Sequence, residues 1–116
     1  MISKNSVNKV ILVGRVGNKP ELKFTPSGNS ICTFSMATNE TWLDLENNKK
    51  EHTEWHNIVG WNKIADFTHE HIVKGQLIYI EGRIHAQVWV DKNNIRQKKY
   101  EIVCEKITPL GIKKVP

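Results

Sequence analysis

The chain has 116 residues, enough for one domain with a modest core and too few for a large buried active site. Lys and Arg number 17 against 12 Asp and Glu, and the formal net charge of +5 favours an anionic partner. No apolar run approaches membrane-spanning length, and Met1 opens a polar stretch, ISKNS, where a secretory leader would be apolar, so a cytosolic protein is expected.

Val7 to Val16 (VNKVILVGRV) is a nearly continuous apolar run rich in β-branched residues. It predicts a buried, strongly bent first strand, with Gly14 a candidate bulge. TPSGN, residues 25–29, predicts a turn. Ser30 to Trp42 alternates as a second strand, with Cys32, Phe34 and Met36 on a core face and Ile31, Thr33, Ser35 and Ala37 opposite. LENNKKEH, residues 45–52, reads as a charged hairpin loop, and TEWHNIVGW, residues 53–61, as the third strand. Asn62 is a candidate N-cap and Gly75 a candidate stop for one helix, in which Ile64, Phe67, His71 and Ile72 follow helical spacing. QLIYIEGRI, residues 76–84, predicts a fourth strand. His85 to Lys98 forms a long arm turning at DKNN, and KYEIVCEKI, residues 99–107, is the last strand.

The order of three strands, one helix and two strands predicts an all-β fold. It is that of an OB-fold, a five-stranded Greek-key barrel with one α-helix between strands 3 and 4 and a long arm between strands 4 and 5. Periodicity alone leaves an SH3-like barrel open. Residues 1–108 are expected to form this domain and residues 109–116 a short basic tail. Cys32 and Cys104 both fall in apolar runs, and the expectation is two reduced core thiols.

The third strand poses the functional question. Thr53, Trp55, Asn57, Val59 and Trp61 share one face, which either is buried or is an open surface for flat groups. Trp42 ends the second strand and Trp89 lies on the arm, with Asp44 and Gln87 as near neighbours. The polar company favours stacking platforms for Trp42 and Trp89 and leaves Trp55 open between platform and core. A base on an aromatic ring contributes roughly 1–3 kcal/mol with little regard to sequence. Candidate phosphate contacts are Lys9, Lys49, Lys50, Lys74, Arg83, Lys98 and above all Lys63. A cation in the first helical turn opposes the helix dipole, which suggests a local anion. Catalysis has little support. His52 and His56 lie on a strand, His69 and His71 point to different sides of a helix, and Glu51 with Glu54 reads as a solvated loop edge. There is no phosphate-cradling glycine loop, and neither a metal site nor a cofactor is expected.

VNKVILVGRVG, FTPSGN, ATNETW, TEWHNIVGWNKIADF, VKGQLIYIEGRI and VWVD occur in order from about Val7 to Ile107. Together they resemble the bacterial single-stranded DNA-binding protein family. The resemblance implies DNA-stacking aromatics at Trp42, Trp55, Trp61 and Trp89, where many relatives have Phe in place of Trp61. It implies cationic contacts at Lys9, Lys63 and Lys74, with Lys50 their counterpart in the loop. It also implies a homotetramer, with His56 at a subunit contact and Tyr79 and Glu81 on a strand near such contacts. The implied role is non-enzymatic coating of single-stranded DNA in replication, recombination and repair, in the bacterial cytoplasm at the nucleoid.

The chain departs from the family pattern in three places. His85, Gln87 and Val88 flank the arm tryptophan where relatives are rich in Arg and Lys; Lys92, Arg96, Lys98 and Lys99 lie further along. Asn57 stands where relatives can carry a cation. Together these imply a shallower salt dependence than that of a more basic relative. The sequence ends at the basic GIKKVP where bacterial members continue through a linker to an acidic tip that recruits repair and replication enzymes; if that end is natural, tip-dependent recruitment is not expected, and a truncated chain would read the same. Three alternatives stand beside this reading: a protein-binding primosome accessory, an OB-fold RNA or tRNA-binding module, and a small nuclease.

Overall fold

The computed structural model describes residues 4–111, so the expected basic tail lies outside the described residues from 112 onward. Six strands and one helix follow one another as β1 (Val10–Val16), β2 (Glu21–Phe24), β3 (Ser30–Leu43), β4 (Lys49–Trp61), α1 (Lys63–His71), β5 (Leu77–Val90) and β6 (Arg96–Pro109). β1 pairs antiparallel with β5 along Val10–Arg15, and at Arg15 and Val16 it also pairs with β3. β3 pairs with β4, β4 joins β6 in parallel, and β6 returns to β5. The circuit closes a five-stranded barrel, as expected from the element order. β2 was not anticipated; it extends β3's sheet from Glu21↔Thr33 to Phe24↔Ser30 once the chain has turned beyond β1.

The interior is aliphatic. Phe34, Met36, Ile58, Ile78, Ile80, Ile102 and Cys104 form its centre, with Val16, Ile72 and Ile107 at its ends and Leu12, Ile64 and Phe67 packed against it. Cys32, Phe34 and Met36 do form the buried face of β3. Both cysteines are free, and burial pushes each thiol up to about 11, so both stay protonated and unreactive at neutral pH.

Gly14 is not a bulge: it pairs in register with Ile78. Its missing side chain is what lets β1 bend across β3, because a Cβ there would stand 2.1 Å from the Ala37 carbonyl oxygen. The irregularity lies on β6 instead. Glu81 pairs with Lys106 and Gly82 with Cys104, which leaves Glu105 extra.

The helix starts after Asn62 as expected but stops short of Gly75. Asn62 precedes it with φ 54 and makes no capping bond with its side chain. The Ser30 hydroxyl donates to Asp66 Oδ1 at 2.8 Å and so ties the first turn to β3. The helix ends at His71, and Gly75, with φ 85, sits in the turn that follows. The loop expected over residues 45–52 is also shorter, because β4 begins at Lys49.

Three hairpin tips share one design: Thr25–Asn29, Asp44–Asn48 and Asp91–Ile95. In each, the first residue's amide donates to the fifth carbonyl and the fourth amide donates to the first carbonyl. The fourth residue has positive φ: Gly28 at 90, Asn47 at 63 and Asn94 at 62. In each tip the first side chain accepts from the fifth amide. These are three-residue loops with a left-handed closing residue, the geometry that matches strand twist. At Asp91 the bonds from the Ile95 amide, the Gln97 side chain and the Asn93 amide hold the carboxyl below its usual range.

Two outcomes follow for stability. Gly14→Ala should lower the unfolding free energy by about 1–3 kcal/mol or more, since the clash is with backbone, as read from urea denaturation. Asp91→Ala should destabilise at neutral pH. Because the folded carboxyl is depressed, its contribution is full above the ordinary Asp value of 3.8 and is lost as pH falls through the lower folded value. The difference in midpoint between the two proteins should therefore shrink on acidification, and a constant difference would contradict the assignment.

Candidate nucleic-acid interface

The strand that posed the question is open where its tryptophans stand. On the outer face of β4, Trp55 is 59% and Trp61 42% exposed, while Val59 between them is buried. Trp42 and Trp89 are 49% and 44% exposed. Indoles left this open forfeit burial that aliphatic neighbours could have supplied, so they form a surface for contact. Cross-strand neighbours near Trp55 are small or short, with Ala37 opposite Trp55, Ser35 opposite Asn57 and Thr33 opposite Val59, while Ile31 stands opposite Trp61. A Cβ on Gly17 would lie 2.4 Å from the Trp55 ring, so this glycine makes room for the indole.

The four rings do not share one plane of the sheet. Trp42 pairs with Lys50 on the reverse face of the β3–β4 arm, an even-numbered register opposite to Trp55. Trp89 pairs with Gln97 on the outer face of the β5–β6 arm, the side that also carries Arg83 and Lys99. Lys98 pairs with Val88 on the other side, and its Nζ stands 5.0 Å above the Tyr100 ring. Trp89 and Lys98, both expected at the arm, thus face apart. Tyr100 was missed; the DKNN turn, once its loop length is known, fixes the register that reveals it.

The cations are distributed around these rings. Lys63 opens α1 two residues after Trp61 and is exposed. Lys74 lies in the turn after the helix, beside Arg15, whose guanidinium donates to the Gly75 carbonyl at 3.1 Å. Lys50 approaches Asp44 at 4.0 Å. Lys9 is engaged with Glu81 at 3.1 Å on the outer face of β1 and β5, and Lys106 reaches the same carboxylate at 3.9 Å. The bond from Lys9, with the nearby charges of Lys9 and Lys106, holds the Glu81 carboxyl below its usual range. Burial, followed by the Glu81 charge and its hydrogen bond, raises Tyr79.

β4 and β6 pair only at Ile58↔Ile102 and Val59↔Val103. Beyond that seam they separate, and a cleft of about 360 Å³ opens between them, lined by Trp55, His56, Asn57, Ile84, Tyr100 and Glu101. A second, more polar recess continues past Asn57 and Glu101 to Asn18, Glu21 and Lys99. His56 shares a 2.9 Å hydrogen bond between Nε2 and Thr38 Oγ1. Among the described residues no group of three or more His, Cys, Asp or Glu stands together as metal ligands, and no helix is long and apolar enough to cross a membrane.

Residues 7–110 match the model of the single-strand binding protein family. The chain is 43% identical over 106 residues to a single-stranded DNA-binding protein of Neisseria meningitidis, covering 91% of this chain and 61% of that one. It is 46% identical over 109 residues to single-stranded DNA-binding protein 1 of Chlorobaculum tepidum, covering 92% and 67%. It thus spans about three fifths of the Neisseria relative's length. Among solved structures it is similar to a Plasmodium falciparum SSB in complex with ssDNA, at 34% identity and TM-score 0.85 over 95% of this chain and 100% of that one. It is also similar to a deletion mutant of the single-stranded DNA binding protein from Thermus aquaticus, at 26% identity and TM-score 0.80 over 90% and 51%. On the barrel and on a match running nearly end to end, the chain belongs to the single-strand binding protein family.

Proposed function

We propose that this protein binds and protects single-stranded DNA, without marked sequence preference, during replication, recombination and repair. The observation that carries the proposal is the set of four half-open indoles around a basic barrel. Bases stack on Trp55 and Trp61, and the strand continues around the arms to Trp42 and Trp89. Phosphates turn outward to Lys50, Lys63, Lys74, Arg83 and Lys98. Lys9 contributes after exchanging Glu81 for a phosphate, a small cost for an exposed ion pair. The act is one of binding alone: free energy from stacking and counterion release holds the strand, with no bond made or broken. The ssDNA in the Plasmodium neighbour supports this reading. The domain is residues 1–108 with a short basic tail after it, working in the bacterial cytoplasm at the nucleoid.

The proposal extends to a homotetramer. β1 meets β3 only at Arg15 and Val16, which leaves its earlier edge without a strand partner among the described residues. Ile11 and Val13 on its outer face are exposed beside Tyr79 and Glu81. An apolar edge of this kind is normally covered, and a second copy of β1 covers it by pairing. Tyr79 and Glu81 then lie close to the contact, and His56 is held by Thr38 for a structural role at it.

Oligo(dT) should strongly quench the tryptophan fluorescence, and Trp55→Ala should weaken binding by about 1–3 kcal/mol, more than Lys50→Ala. Equal losses would make electrostatics dominant over stacking, and an unchanged spectrum at saturation would remove the stacking claim. Competition with oligo(U) and folded tRNA separates DNA from RNA binding. Light scattering on the free protein should give four times the chain mass, and a monomer would refute the assembly.

A further inference from the structure

Resting on the DNA-binding reading above, we propose that Tyr100 is a base-stacking platform additional to the four indoles, sharing the cleft between β4 and β6 with Trp55, and that Lys98 is its phosphate partner. Tyr100 stands two residues before the buried Ile102 on the same face of β6. It is therefore the first side chain on the barrel's interior face to emerge from the barrel. Interior-facing aromatics are normally covered, yet Tyr100 is 60% exposed and Ile84, on the neighbouring strand, 50%. Together with Trp55 the two line the cleft. Its volume, about 360 Å³, lies in the range of small-ligand sites.

Charge chooses the occupant. Lys98 lies over the Tyr100 ring, and Arg96 occupies the next position on the same face of the arm. A flat apolar ring with cations on its open side suits a nucleotide: base against ring, phosphate against ammonium. An exposed cation–π contact is weaker than a base stack, so an arriving base displaces Lys98 from the ring, and the freed ammonium meets the phosphate. The polar end of the cleft agrees with this orientation. Glu101 is held by His85 at 3.3 Å and Asn57 lines the cleft with it; a carboxylate there repels phosphate and can accept from a base N–H, such as thymine N3–H. Tyr100 thereby links the β4 platform to the β5–β6 arm.

The test is titration of Tyr100→Ala, Tyr100→Phe, Lys98→Ala and Trp55→Ala with oligo(dT), with light scattering on each free variant. Tyr100→Ala should raise Kd by roughly 5- to 150-fold with the assembly unchanged, and Tyr100→Phe should stay within about twofold, since the ring and not the hydroxyl is needed. Lys98→Ala should flatten the slope of log affinity against log salt by about 0.7. Wild-type affinity in Tyr100→Ala alongside a loss in Trp55→Ala overturns this inference and leaves the DNA-binding reading intact. No loss in either overturns both. A loss in Tyr100→Ala accompanied by an altered assembly makes the cleft a contact between copies and overturns the inference. Photocrosslinking of the unaltered protein to iodouracil-substituted oligo(dT) covers a variant that fails to fold: an adduct on Tyr100 supports the inference, and adducts on the tryptophans without one on Tyr100 overturn it.

Discussion

The barrel closes through a seam only two residue pairs long, Ile58 with Ile102 and Val59 with Val103. Buried Ile58 and Ile102 anchor the seam in the core, while the strands on either side belong to long hairpins with extensive pairing of their own. A longer seam would have zipped β4 to β6 and erased the groove. Without it the barrel would open into one sheet with β4 and β6 as exposed edges. The groove, the splay of the arms and the exposure of Trp55 all depend on where this parallel contact stops.

Much of the fold was legible because it is written in local alternation. The core face of β3 followed from Cys32, Phe34 and Met36, and the TPSGN turn from its own chemistry. What could not be read locally was register. Whether Trp42 shares a side with Trp55, or Trp89 with Lys98, depends on pairings set by three-residue loops, and a shift by one reverses every side chain. Gly14 was assigned the wrong device for the same reason. A glycine within a strand signals either a bulge or a close approach, and only the neighbouring chain, here the Ala37 carbonyl, decides between them. Asn62 was legible as the position before the helix but not as a left-handed residue, because its backbone is set by pairing with a distant strand, its amide donating to the Ser30 carbonyl.

The candidate site was more legible in its aromatics than in its charges. A tryptophan among polar neighbours is conspicuous in a sequence. A lysine is not, and its availability depends on what lies beside it. The count of 17 Lys and Arg overstates the free cations, since Lys9, Lys49 and Lys50 each lie near a carboxylate. Each pair is solvent-accessible on its lysine side and so is weakly held; it neutralises the surface only locally and yields when a stronger polyanion approaches.

Gly17 bears on the energetics of recognition as well as on space. The Trp55 indole already rests against the backbone at that point, which restricts its rotation in the unliganded molecule. Side-chain ordering is one of the recurring entropic penalties of association. A ring parked in advance has less freedom to surrender, so more of the stacking energy survives as affinity. A residue with no side chain at all thereby sets how efficiently the largest side chain in the groove works.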